Sequence, residues 1–138
     1  MAGPSIAERL SHILEAIAHI ERNTAGLDLE LFRADRFRQL GVERCLEIIS
    51  EASRHIPDDA KARHPEIPWR RVGDIGNRIR HAYHAVDSEI VWEIVTGELA
   101  VLKSAILSRC GADSQSRLRG RSARPRSCMS RVPRVTQR

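Results

Sequence analysis

Aromatic side chains are scarce in this chain: two Trp, two Phe and one Tyr make up 4% of its 138 residues. Trp69 and Trp92, both on apolar stripes, are therefore expected as core or interface anchors and not as base-stacking platforms. Cysteine is limited to Cys45, Cys110 and Cys128. Their odd number and their spacing exclude a disulfide framework and a zinc motif, and Cys45 reads as a small buried hydrophobe. No apolar run approaches the roughly 20 residues needed to cross a bilayer. The N-terminus has neither the basic nor the apolar stretch of a signal peptide, so a cytoplasmic protein with no membrane contact is expected. A Gly-x-Ser-x-Gly elbow and a glycine-rich phosphate loop are both missing, which sets aside serine hydrolases and the common nucleotide-binding motifs. Stretches that alternate apolar and polar residues between turn pairs are missing too, which removes the signal for strands.

Charge is present in both signs but unevenly placed. The formal net charge of +5 is the sum of a nearly neutral region, residues 1–110 at −2, and a tail, residues 111–138, at +7. The tail carries eight arginines against Asp113 alone. Its Arg, Ser and Pro composition cannot bury enough apolar surface to order itself, so a disordered basic segment is expected after a single helical domain at 1–110. Arginines without interleaved aromatic residues would give at most nonspecific, salt-sensitive contacts with phosphates.

Apolar residues recur at spacings of three and four almost everywhere before Cys110, which makes the class all-α. Ser5 and Glu8 form a capping box for a first helix with Ile6, Leu10, Ile13, Leu14, Ile17 and Ile20 on one stripe, ending near Asn23 to Gly26. A short helical turn at Leu29 to Phe32 leads to Asp35, an N-cap for a long helix carrying Phe37, Leu40, Cys45, Leu46, Ile49, Ala52 and Ile56. The three prolines between Pro57 and Pro68 predict a non-helical connector. A third helix is expected from Trp69 to about His84, and a fourth after Asp87 with Ile90, Val91, Ile94 and Val95 facing inward. Thr96 and Gly97 are expected to interrupt that helix before a last segment with Leu99, Leu102, Ala105 and Ile106. The architecture implied is an antiparallel bundle of four or five helices.

The densest cluster of polar and titratable groups lies at the end of the third helix. Asn77, Arg80, His81 and His84 stand at i, i+3, i+4 and i+7, and so share one helix face, flanked by Arg78 and Tyr83. An imidazole can exchange a proton near neutral pH, and a guanidinium can hold a phosphodiester oxygen as charge builds on it. The pair suits RNA cleavage without metal, while the same spacing also fits a solvated helix face. Adding His55 or His64 to His81 and His84 brings no carboxylate or cysteine at a matching spacing, so no metal and no cofactor is expected.

The segments His64-Pro65-Glu66-Ile67-Pro68-Trp69-Arg70, Gly76-Asn77, His81-Ala82-Tyr83, Val86-Asp87 and Val91-Trp92-Glu93-Ile94-Val95, in this order and with these gaps, resemble the HepT-like family, a branch of the HEPN superfamily. The resemblance runs from about Ile6 to Ile106. It implies an all-α bundle, homodimerisation that brings two clefts together, and metal-independent endoribonuclease activity in which a ribose 2′-hydroxyl attacks the neighbouring phosphate. It further implies a toxin-antitoxin module whose MntA-type nucleotidyltransferase antitoxin transfers AMP to a tyrosine. The family's Arg-x4-His-x-Tyr motif maps its histidine and tyrosine onto His81 and Tyr83. Its arginine falls on Gly76. Two expectations follow: a variant site that uses Arg80, or Arg78, in place of that arginine with Asn77 orienting the phosphate, or an inactive binding module for a nucleotidyltransferase partner or nucleic acid. Asp87 and Glu93 read as a helix cap and a solvated residue.

Overall fold

The first helix begins where the sequence supplies a reciprocal cap. In a computed structural model that describes residues 3–81 and 88–108, Ser5 Oγ accepts from the Glu8 amide at 3.2 Å and Glu8 Oε2 accepts from the Ser5 amide at 2.6 Å. Two donors that the first turn cannot satisfy within itself are thereby used. These hydrogen bonds also hold the exposed Glu8 carboxyl below its ordinary pKa. Helix α1 runs Ile6–Thr24 and is followed by Gly26, whose φ of 72° turns the chain in a conformation that other residues rarely adopt. Asp28 caps α2 (Leu29–Ala34), and Asp35 caps α3 (Arg36–Arg54) by accepting from the Arg38 amide at 3.0 Å. The buried Gln39 closes the junction: its Nε2 donates to the carbonyls of Phe32 and Arg33, each at 2.9 Å, at the end of α2.

The segment from Pro57 to Pro68 departs from the expected connector, since it contains a short helix, α4 (Asp58–Ala62). Proline disrupts a helix interior, but Pro57 stands at the N-cap, where its missing N–H costs nothing, and Asp58 and Asp59 suit the first turn. Helix α5 spans Trp69–His81 and α6 spans Ser88–Glu93. Thr96 and Gly97 do not break the chain's course either. The helix widens into a π turn at Ile94–Glu98 and continues as α7, residues 99–108. Thr96 Oγ1 donates to the Trp92 carbonyl at 2.8 Å, competing with the regular backbone ladder, and Gly97 adds no side chain to resist the change.

The long members α1, α3, α5 and the continuous run α6–π–α7 form the bundle, with α2 and α4 as short links, and no strand occurs among the described residues. Helix α3 packs on α1 and on α5. Its pairings run in opposite directions, with Arg44 beside Arg80 at one end and Arg54 beside Gly73 at the other, so α3 and α5 are antiparallel. The core takes Ile13, Ile17 and Ile20 from α1, Leu46 and Ile49 from α3, Ile75 from α5, Val91 and Ile94 around the π turn, and Leu102 and Ile106 from α7, all at most 1% exposed. Each such side chain contributes about 1.5–3 kcal/mol by leaving water. Trp69 and Trp92 are partly buried against this core, the latter with its ring 5.2 Å from that of Phe32. Glu93 is solvated as expected.

Three inward assignments are corrected. Phe37 is 88% exposed and Leu40 is also exposed. They lie on the first turns of α3, where Phe37 borders a groove with His19 and Asn23 instead of entering the core. Cys45 is half-buried, and burial raises its thiol pKa. The expected cap Asp87 and the tail at 111–138 lie outside the described residues. No helix among the described residues is long and apolar enough to cross a membrane.

Candidate functional site

The site face is built on a close approach of α3 and α5. Gly73 and Gly76 of α5 meet Ser50 and Ser53 of α3. Ser50 Oγ donates to the Gly73 carbonyl at 2.8 Å and accepts from the Gly76 amide at 3.2 Å. A Cβ placed on Gly76 would stand 2.9 Å from Ser50 Oγ, closer than such atoms pack, and 3.3 Å from Nη2 of Arg80. Glycine at 76 is thus a packing requirement of this seam as well as a departure from the family pattern.

Arg80 lies over the space that this glycine leaves. Its Nε donates to the Gly76 carbonyl at 3.1 Å and its Nη2 to Asn77 Oδ1 at 3.4 Å. A second arginine reaches the same amide from α3: Arg54 Nη2 donates to Asn77 Oδ1 at 3.3 Å, while Arg54 Nε and Nη2 bond the Gly73 carbonyl at 3.1 and 2.9 Å. Asn77 Nδ2 in turn donates to Asp74 Oδ1 at 3.2 Å. One asparagine oxygen therefore stands between two guanidiniums, beside a hollow of about 240 Å³ lined by Arg44, Glu47, Ser50, Glu51, Gly76 and Arg80. Two guanidiniums held by neutral acceptors keep their charge available for an anion.

The sequence cluster is divided by the structure. Asn77 and Arg80 come together as their spacing predicts. Arg78 turns to the opposite side, where its Nη1 donates to Glu98 Oε1 at 2.8 Å, and Arg71 Nη2 reaches the same oxygen at 3.1 Å. Arg78 is thereby tied to a carboxylate that it shares with Arg71, and is directed at the π turn. His81 is the last residue of α5, and its side chain, together with Tyr83 and His84, lies outside the described residues. Among the described residues no cluster of His, Cys, Asp or Glu is arranged to hold a metal ion.

Arg54 and Ser50 escaped the sequence reading because they lie 23 and 26 positions before their partners Asn77 and Gly76. The available signal was topological: in an antiparallel bundle the last turn of α3 falls opposite the first turns of α5, which brings Arg54 to the polar face of the latter.

Comparison with known proteins points to one family. The family model described as "Ribonuclease HepT-like" matches residues 13–108. "Probable ribonuclease HepT" of Thermococcus cleftensis is 44% identical over 94 residues, 68% of this chain and 86% of that protein. "Putative RNase TTE0752" of Caldanaerobacter subterraneus subsp. tengcongensis is 28% identical over 97 residues, 70% and 87% of the two chains. "Putative RNase MJ1380" of Methanocaldococcus jannaschii is 31% identical over 97 residues, 70% and 89%. No solved structure matches the chain.

Proposed function

Since the chain belongs to the ribonuclease HepT-like family, we propose that it cleaves RNA without a metal ion and that Arg80 stands in for the arginine that the family pattern expects at Gly76. The observation that carries this reading is the position of the Arg80 guanidinium, bonded to the Gly76 carbonyl and 3.3 Å from where a side chain on residue 76 would begin. An arginine one turn later on the helix thus brings a guanidinium beside the backbone of residue 76. The ribose 2′-hydroxyl attacks the adjacent phosphorus, so the O2′–P bond forms and the P–O5′ bond breaks. His81 exchanges the proton, and the products are a 2′,3′-cyclic phosphate and a 5′-hydroxyl. Arg80 and Arg54 offset the charge that builds on the phosphoryl oxygens, and Asn77 holds both guanidiniums in register. The test is cleavage of generic RNA in the presence of chelator by wild type and His81→Ala. Loss in the variant supports the reading, and equal activity overturns it.

The remaining features follow from the same family reading: a homodimer in the cytoplasm and a nucleotidyltransferase antitoxin that adds AMP to Tyr83. Light scattering measures the first association. Intact mass after incubation with antitoxin and ATP measures the modification, which Tyr83→Phe abolishes. The second reading, an inactive binding module, draws on the tight seam of Ser50 against Gly76, which excludes the expected arginine. It requires wild type to show no cleavage while still binding its partner.

A further inference from the structure

A second, larger depression also lies along α3 and α5, and Asn77, which lines it, bonds Arg80 of the first hollow. It is a trough of about 570 Å³, lined by Asn77 and Arg54 and walled further on by Lys61, Trp69 and Arg70. This volume is in the range of pockets that hold nucleotide-sized molecules. Its charge is unusual for this domain. Among the described residues Arg33, Arg36, Arg38, Arg44, Arg63, Arg71 and Arg78 each pair with a carboxylate. Arg9, Arg22, Arg54, Arg70 and Arg80 do not pair with a described carboxylate, and the last three border the trough or the hollow at Arg80. Among the described carboxylates Lys61 pairs with the fully exposed Asp58 alone, at 4.0 Å. Of the acidic side chains nearby, Glu47 pairs with Arg44 at 3.0 Å and Asp74 accepts from the neutral Asn77 amide, so the trough lining sets Arg54, Lys61, Arg70 and Arg71 against the charge of Asp74 alone. Cations without a described carboxylate partner thus border both depressions, Arg80 at the hollow and Arg54 and Arg70 at the trough.

We propose that this trough is a subsite for the RNA strand flanking the cleaved bond, in which Lys61 and Arg70 bind backbone phosphates next to the one held at Arg80, with Arg54 joining the two sites. The choice of RNA as ligand rests on the ribonuclease reading, whereas the excess of cations does not. A polyanion fits better than a protein partner because a stable protein contact is centred on buried apolar and aromatic anchors. The trough's aromatic residue, Trp69, is packed against the core with its Nε1 committed to the His64 carbonyl at 3.1 Å. Contacts of this kind confer affinity without sequence preference.

The test is binding of a short, uncleavable 2′-O-methyl RNA strand to the full chain, read by fluorescence anisotropy at several salt concentrations. Lys61→Gln/Arg70→Gln is compared with Arg9→Gln/Arg22→Gln, which removes the same charge elsewhere and retains the same tail. The expected result is affinity about tenfold weaker in the first variant, uniformly across strand sequences, with a salt slope reduced by about 1.4, and little change in the second. Lys61→Arg/Arg70→Lys restores both affinity and slope, which separates lost contacts from misfolding. Equal weakening in the two Gln variants, or none in either, overturns the proposal. So does unchanged RNA affinity combined with lost binding of an acidic protein partner, which would make the trough a protein-docking surface. An inactive wild type that still shows the tenfold difference would sink the ribonuclease reading and leave the subsite standing.

Discussion

The two sides of α5 carry arginines of opposite fate. Toward the π turn, Arg71 and Arg78 converge on one oxygen of Glu98. Toward α3, Arg80 and Arg54 converge on the amide oxygen of Asn77 and keep their charge. Arg78 and Arg80 are two positions apart in sequence, three and one before His81. What separates them is the partner that each meets: a carboxylate cancels a guanidinium, and a neutral amide merely holds it in place. Availability for an anionic substrate is therefore set by tertiary contacts, not by spacing along the helix.

The largest expected effect breaks this asymmetry at the site itself. Arg80→Ala lowers the rate of RNA cleavage by about 10²–10³-fold, as loss of one electrostatic donor does, whereas Arg78→Ala changes it little. Initial rates on a labelled RNA measure both. Next is the seam that positions Arg80. Gly76→Ala forces its Cβ against Ser50 Oγ and costs about 1–3 kcal/mol in urea unfolding. Ser50→Ala/Gly76→Ala, which removes the clashing oxygen, recovers part of the loss. On the other side, Glu98→Ala strips Arg71 and Arg78 of their acceptor and costs about 1–2 kcal/mol by the same measurement. It also raises RNA affinity, because the carboxylate that offsets one of these two cations is removed.

The smallest effects lie away from α5. Phe37→Ser, at a side chain already 88% exposed, shifts unfolding of the isolated protomer by less than about 0.5 kcal/mol. The capping box gives a pH signature. Because Ser5 lowers the Glu8 pKa in the folded chain, this carboxylate's contribution is fully present above its unfolded pKa. It disappears as pH falls through the lower folded value. Thermal melts of wild type and Glu8→Gln therefore differ at neutral pH and converge on acidification.

Much of the fold was legible because local chemistry specified it. Ser5 and Asp35 sit as caps where side-chain oxygens meet free amides, and Ile13, Ile17, Leu46 and Ile49 fall on their stripes and are buried. Elsewhere propensity and tertiary context diverged. Thr96-Gly97 reads as a break, yet the packed residues on both sides, Ile94 and Leu99, hold the helix together through a π turn. Phe37 belongs to the apolar stripe of α3 by spacing, but that end of the helix meets the groove at the end of α1. At the site, the pairing of Asn77 with Arg80 follows from a spacing of three. The engagement of Arg78 depends on Glu98, twenty residues away, and the contribution of Arg54 depends on the α3–α5 register. Neither could be read from the cluster alone.

The central claim is that Arg80, and not Arg78, occupies the role vacated at Gly76. Its most direct test is cleavage of one RNA by wild type, Arg80→Ala and Arg78→Ala side by side, with chelator present and folding checked by circular dichroism. The account predicts that wild type and Arg78→Ala cleave at similar rates while Arg80→Ala falls by about 10²-fold or more. Cleavage retained by Arg80→Ala and lost by Arg78→Ala would contradict it.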